Sequence, residues 1–254
     1  MNSTMKSKLL SLLKKVLLPL AFWLIIWQIL ATIIDDDFLL PDISATLISL
    51  IDLLGESSFY YAILLSAARV ILGLISGVAA GFVLALLCSR FDILKCIILP
   101  VIRIIKSTPV ASFIVVLWVL MSGDALSIFI GFLMVMPIIF QNVSDGILAV
   151  DNQLTELSEV FEFSGLKKFR LITLPSIERF LIPAVITASG FAWKAEIAAE
   201  IIAYTKNSIG QGINDAKYYM DTPTIFAWTV VIIALSIALE AITAYVMRRV
   251  KNES

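Results

Sequence analysis

The stretch "GFAWKAEIAAEII" sets Lys194, Glu196 and Glu200 inside an apolar run. Ionisable side chains in such runs are costly and mark either ion-pair contacts between helices or an aqueous path. Arg69, Arg103, Lys106 and Glu240 lie in similar surroundings. Glu196 and Glu200 are four residues apart and share a helix face, from which Lys194 points away. Salt-bridge contacts between helices and a lined pathway or gate both remain open for this set. Arg103 and Lys106 are close enough to a segment end to snorkel. The chain has no His, which removes the commonest general base and the HExxH type of metal site. No aspartate falls within an apolar segment, so an intramembrane hydrolase has neither of its usual groups. No GxxxxGK[ST] loop occurs, so any nucleotide chemistry must sit on another chain.

The elements that must hold these charges follow from composition. Of 254 residues, 60% are hydrophobic and 15% charged, with mean hydropathy +0.98. A soluble domain cannot bury that fraction, so the expected solvent is the bilayer. Nineteen Lys and Arg against 20 Asp and Glu leave no basic surplus that would point to nucleic acid. An all-α membrane protein with about six spans is expected, at Val16–Ile34, Ala62–Cys88, Ile93–Met121, Ala125–Val143, Phe180–Tyr204 and Ile225–Met247. A basic segment, residues 1–15, precedes one transmembrane domain, residues 16–254. The first apolar run is too long for a signal-peptide core and is expected to be retained. Pro109 in "IKSTPVASF" should kink or break the third segment. Most Lys and Arg, including Lys6, Lys8, Lys14, Lys15, Lys167, Lys168, Arg248, Arg249 and Lys251, fall on one side. Lys206 and Lys217 fall opposite, which predicts cytoplasmic termini in a cell membrane. Cys88 and Cys96 then lie near the reducing side.

Gly73, Gly77 and Gly81, four apart, predict a face for close helix packing. "LPDISATLISLIDLL" predicts a helix starting at Pro41–Asp42 and lying along the membrane surface. "TKNSIGQGINDAKYYMDTP" reads as a polar loop that is either a connector or a partner surface.

Between the fourth and fifth spans, residues 144–179 hold "DNQLTELSEVFEFSGLKKFRLITLPSIERF". On a helix, Leu154, Leu157, Val160 and Phe161 gather on one side, and Glu156, Glu159 and Glu162 on the other. Asp151 is a cap, Ser164–Gly165 a stop, and Leu166–Thr173 a second short helix cut off from the next span by Pro175. A loop this long and ordered suits docking of a soluble partner better than simple connection.

This loop resembles the EAA loop of ABC importer permeases. Glu156 stands for the acid, Leu157 and Ser158 for the two alanines, Phe161 and Phe169 for apolar positions, and Ile172, Leu174 and Pro175 for the close. Glu162 occupies the glycine position, and Gly165 is positioned to take over the turn. "FLMVMPII", "ITLPSIERFLIPA" and "SIGQGINDAKYYMDTPTIFAW" extend the likeness to the nitrate/sulfonate/taurine branch. The resemblance implies a type I importer permease fold, pairing with a second permease copy, ABC ATPase subunits gripping a coupling helix, and an extracellular binding protein. ATPase coupling would fall to Glu156, Leu157, Ser158, Val160, Phe161, Glu162, Gly165, Phe169, Leu174 and Pro175. Arg69, Lys106, Pro109, Lys194, Glu196 and Glu200 are the expected pathway or gate residues. The branch implies a small solute, anionic in many members. No cofactor or metal is expected. The alternative is a secondary carrier driven by an ion gradient, which would show an internal repeat. None is visible.

Overall fold

A computed structural model describes residues 15, 17–121 and 123–253. Lys6, Lys8 and Lys14, the start of the first expected span at Val16, and the Lys251 side chain lie outside what is described. The described chain is helical: α1 (Leu18–Ile34), α2 (Ile43–Leu54), α3 (Ser57–Arg90), α4 (Asp92–Ser107), α5 (Val110–Trp118), α6 (Asp124–Leu148), α7 (Asn152–Val160), α8 (Gly165–Lys168), α9 (Leu174–Ile202), α10 (Ile209–Tyr218) and α11 (Thr222–Glu253). A π-helical turn, Phe169–Thr173, joins α8 to α9.

Among the described residues, four helical stretches are long and apolar enough to cross a bilayer: α3, α6, Gly165–Ile202 and Thr222–Arg249. The segment expected as one third span is instead two helices, α4 and α5, bent by 103°. Pro109 has no N–H to continue α4, and its ring drives Thr108 to φ −88°, ψ 131°. The break foreseen there is a corner, not a kink. α1 is apolar but has only 17 residues, about 26 Å at the helical rise.

The chain divides into two compact units. In the first, running to Tyr60 and including Gly212–Val231, Trp27 Nε1 donates to Pro41 O at 2.9 Å and Gln28 Oε1 accepts from Ile43 N at 3.2 Å, fixing the start of α2. Asp42 caps α2 by accepting from Ala45 N at 2.7 Å. This bond, followed by the Ser44 hydroxyl, holds the Asp42 carboxyl below its ordinary range. Trp27 and Phe226 rings lie 5.5 Å apart, and Phe59 and Trp228 rings 5.0 Å apart.

The second unit, Tyr61–Gln211 with Ile232–Ser254, is built on α6 packed along α9. Where they meet, a Cβ on Gly146 would stand 2.8 Å from Ile177 Cα, and Ser176 Oγ donates to Gly146 O at 2.7 Å. The glycine face of α3 lies on α6: a Cβ at Gly77 would be 2.6 Å from Val135 Cβ, and one at Gly81 2.6 Å from Met136 O. Ile114, Leu126, Ile130, Ala195 and Ala199 form a core shared by α5, α6 and α9. The polar loop expected after the fifth span contains α10. Its start carries a capping signature, with Ser208 Oγ accepting from Gln211 N at 2.9 Å and Gln211 Oε1 accepting from Asn207 N at 2.6 Å.

Candidate coupling loop and buried charge cluster

α7 begins where Asp151 accepts from Gln153 N at 2.8 Å. It ends in a Schellman closure: Phe163 N donates to Ser158 O at 2.8 Å, and Glu162 N to Glu159 O at 3.1 Å. That closure needs a left-handed residue, and Glu162 supplies it at φ 50°. The helix therefore stops at Glu162, not at Ser164–Gly165 as the residue types suggested. Gly165 takes over no turn. It is the first residue of α8, and Ser164 is the cap, accepting from Lys167 N at 3.4 Å. Glu162 thus adopts a left-handed backbone conformation that glycine takes without steric cost.

Nor does Pro175 cut the second helix from the fifth span. The π turn lets Leu174 N reach back five residues to Phe169 O, so Pro175 enters at the first turn of α9, where its missing N–H costs nothing. Gly165–Ile202 is one continuous helical stretch.

The surfaces of α7 are uneven. Ser158 is buried, its Oγ donating to Thr155 O at 2.6 Å. Leu157 is 50% exposed, Phe161 64% and Val160 79%. Glu156 and Glu162 are exposed, Phe169 and Leu174 half-buried, and Pro175 exposed. Lys168 Nζ lies 3.7 Å from Glu159 Oε1, and Lys167 Nζ lies 4.1 Å from the Phe163 ring centre. An apolar ridge on a short, doubly capped helix is thus presented outward with acids beside it.

The expected pathway residues separate into two groups. Arg69 and Glu200 come together at 2.9 Å, both buried. Arg69 Nε also donates to Asp124 Oδ1 at 2.8 Å, and its Nη2 to Lys206 O at 3.3 Å. The second oxygen of Glu200 accepts from Ser66 Oγ at 2.8 Å and Gly210 N at 3.3 Å. The cluster ties α3, α6, α9 and the start of α10 into one knot. Glu196 is fully buried, and neither of its carboxylate oxygens has a hydrogen-bond partner. It occupies a niche in which a Cβ on either Gly73 or Gly131 would strike its carboxylate. Lys106, Pro109 and Lys194 are all exposed and belong to neither feature.

Sequence reasoning missed Ser66, Asp124 and Gly131. Asp124 was legible as a first-turn acid of the fourth span. Ser66 lies three residues before Arg69, on the same helix face. Gly131 carries no pattern that would single it out.

Residues 77–252 match the family model described as binding-protein-dependent transport system inner membrane component. A probable ABC transporter permease protein of Brucella melitensis biotype 1 is 26% identical over 185 residues, 72% of this chain and 75% of the relative. A putative ABC transporter permease protein of Methanocaldococcus jannaschii is 23% identical over 245 residues, 92% of this chain and 90% of the relative. The nitrate import permease protein of Synechococcus elongatus is 26% identical over 207 residues, 78% of this chain and 74% of the relative. The crystal structure of an amino acid ABC transporter with histidines matches in fold with TM-score 0.62 at 15% identity, over 76% of this chain and 93% of that chain.

Proposed function

Because this chain belongs to the binding-protein-dependent transport system inner membrane component family, we propose that it forms the translocation path of an ATP-driven importer and that α7 is its coupling helix. It is an ABC transporter permease subunit, a multi-pass membrane component rather than a catalytic enzyme. The observation that carries the coupling reading is the ridge of Leu157, Val160 and Phe161, which is left exposed on a helix rigidly capped at both ends. An apolar ridge fits a groove on a soluble partner, and the acids beside it select the partner's charge.

In this reading two copies of the chain pair about a two-fold axis, with termini and coupling loops on the cytoplasmic side. An extracellular binding protein delivers solute to the opposite side. Closure of the ATPase subunits on ATP draws the two loops together. The continuous Gly165–Ile202 helix converts that motion into a tilt of its membrane portion, because no flexible joint separates the loop from the span. Lys106, Pro109 and Lys194 line the path. The exposure of Lys106 and Lys194 in the single chain supports this, since isolated charges on lipid-facing helix surfaces are costly. The Arg69–Glu200 knot holds the wall. The cations Lys106 and Lys194, together with the nitrate permease among the relatives, favour a small anionic solute.

The test is co-purification of the ATPase subunit with a Leu157→Asp/Phe161→Asp variant. Membrane insertion at wild-type level with loss of the ATPase is expected. Recovery of the ATPase at wild-type yield would overturn the coupling assignment.

A further inference from the structure

A cavity of about 260 Å³ opens beside the last turn of α3, the first turns of α4 and the last two turns of α6. Its polar wall holds two carboxylates, Asp92 and Asp145, one ammonium, Lys95, and the Ser89 hydroxyl. Its floor is apolar, with Leu99, Phe140 and Leu148. Asp145 Oδ1 is already oriented by Gln141 Nε2 at 2.9 Å. An open, mainly apolar groove lined by Arg90, Phe91, Ile93 and Leu94 adjoins it, sharing Asp92.

α3 has 34 residues, about 51 Å, against about 30 Å for a hydrocarbon core. Its length therefore exceeds the hydrocarbon core, which favours a cavity at its end lying near the headgroups. Phe91 and Ile93, 52% and 78% exposed, give the groove an apolar surface suited to an acyl chain.

We propose that this cavity binds the headgroup of a zwitterionic phospholipid carrying a primary ammonium, of the phosphatidylethanolamine type. The ammonium donates to Asp92 and Asp145. The phosphate sits against Lys95 and Ser89, and the acyl chains leave along the Phe91–Leu94 groove. A phosphatidylglycerol headgroup has no ammonium to donate to the two carboxylates. A choline headgroup has no N–H to donate. The site lies at the root of α6, whose end at Leu148 is three residues from α7, so a bound lipid braces the helix that carries the loop. This inference rests on the cavity and not on the coupling reading.

The test uses the full chain, delipidated in detergent and titrated with phosphatidylethanolamine, phosphatidylcholine or phosphatidylglycerol of identical acyl chains, with bound lipid counted by native mass spectrometry. Two charge-assisted hydrogen bonds separate the first lipid from the second, so retention about tenfold tighter or more is expected. Asp92→Asn/Asp145→Asn should erase that preference, while Asp52→Asn, which is not among the lining residues, should keep it. Equal retention of ethanolamine and choline lipids by the wild-type chain would overturn the proposal without recourse to any variant. So would a preference that survives the double substitution, or displacement of the lipid by equimolar soluble phosphoethanolamine.

Discussion

Arg69→Ala should be the most damaging single change in the Arg69–Glu200 knot, and the structure says by how much. The Arg69 side chain is 6% exposed and that of Glu200 1%. Removing the guanidinium leaves a buried carboxylate with two neutral donors, Ser66 Oγ and Gly210 N. Leaving a buried charge without its partner costs about 3–5 kcal/mol. The Asp124 arm behaves differently. Its side chain is 69% exposed, so water screens that pair, and Asp124→Ala should cost less than about 1 kcal/mol. At roughly 2–4 °C per kcal/mol for a chain of this size, Arg69→Ala lowers the unfolding midpoint by about 6–20 °C. Asp124→Ala should lower it by no more than about 4 °C on the same scale. The assay is thermal unfolding of the purified chain in one detergent at one concentration, followed by tryptophan fluorescence. Equal losses for the two variants would refute the reasoning, because they would show that burial does not rank the two arms. An Arg69→Ala midpoint within about 2 °C of wild type would refute it too, being less than 1 kcal/mol.

Two further predictions concern helix ends. Glu162→Gly should relieve the left-handed backbone by about 1 kcal/mol, slowing amide exchange at Phe163 by about fivefold. Unchanged or faster exchange would show that Glu162 carries no strain. Asp42→Ala should weaken the start of α2 at neutral pH, lowering exchange protection at Ala45 and Thr46. The folded Asp42 carboxyl titrates below its ordinary 3.8, so its contribution is complete above that value and is lost as pH falls through the lowered one. The difference from wild type should be present at pH 6 and gone in strong acid, and an equal difference at both would sink the assignment.

Much of the α7–α8 loop, and the corner between α4 and α5, was legible in order along the chain. Asp151 as cap, the Leu154–Phe161 ridge and the break at Pro109 all follow from local stereochemistry, which depends on near neighbours only. The errors were local too, but they turned on compensation between residues. Gly165 is the obvious turn former, yet the closing bonds of α7 place the left-handed residue at Glu162, where the Phe163 and Glu162 N–H groups reach orphan carbonyls. Pro175 is an obvious breaker, yet a π turn absorbs it. The α10 helix was overlooked although Ser208 and Gln211 spell its capping box.

The charges show the other side. Composition and the length of its apolar runs determined that this chain is a helical membrane protein, because a soluble fold cannot bury so large an apolar fraction and continuous runs of about 20 apolar residues suit spanning helices. The spacing of Gly73, Gly77 and Gly81 determined that α3 has a face open to close packing. Only tertiary structure decided what meets that face: Val135 and Met136 at two of the glycines, and the Glu196 carboxylate, shared with Gly131, at the third. Only tertiary structure separated Glu200, neutralised by Arg69 from 131 positions away, from Glu196 one turn earlier on the same helix. A sequence places two such residues on one face. Which of them finds a cation depends on how distant helices are packed, and that is set by the shapes of all the side chains between them.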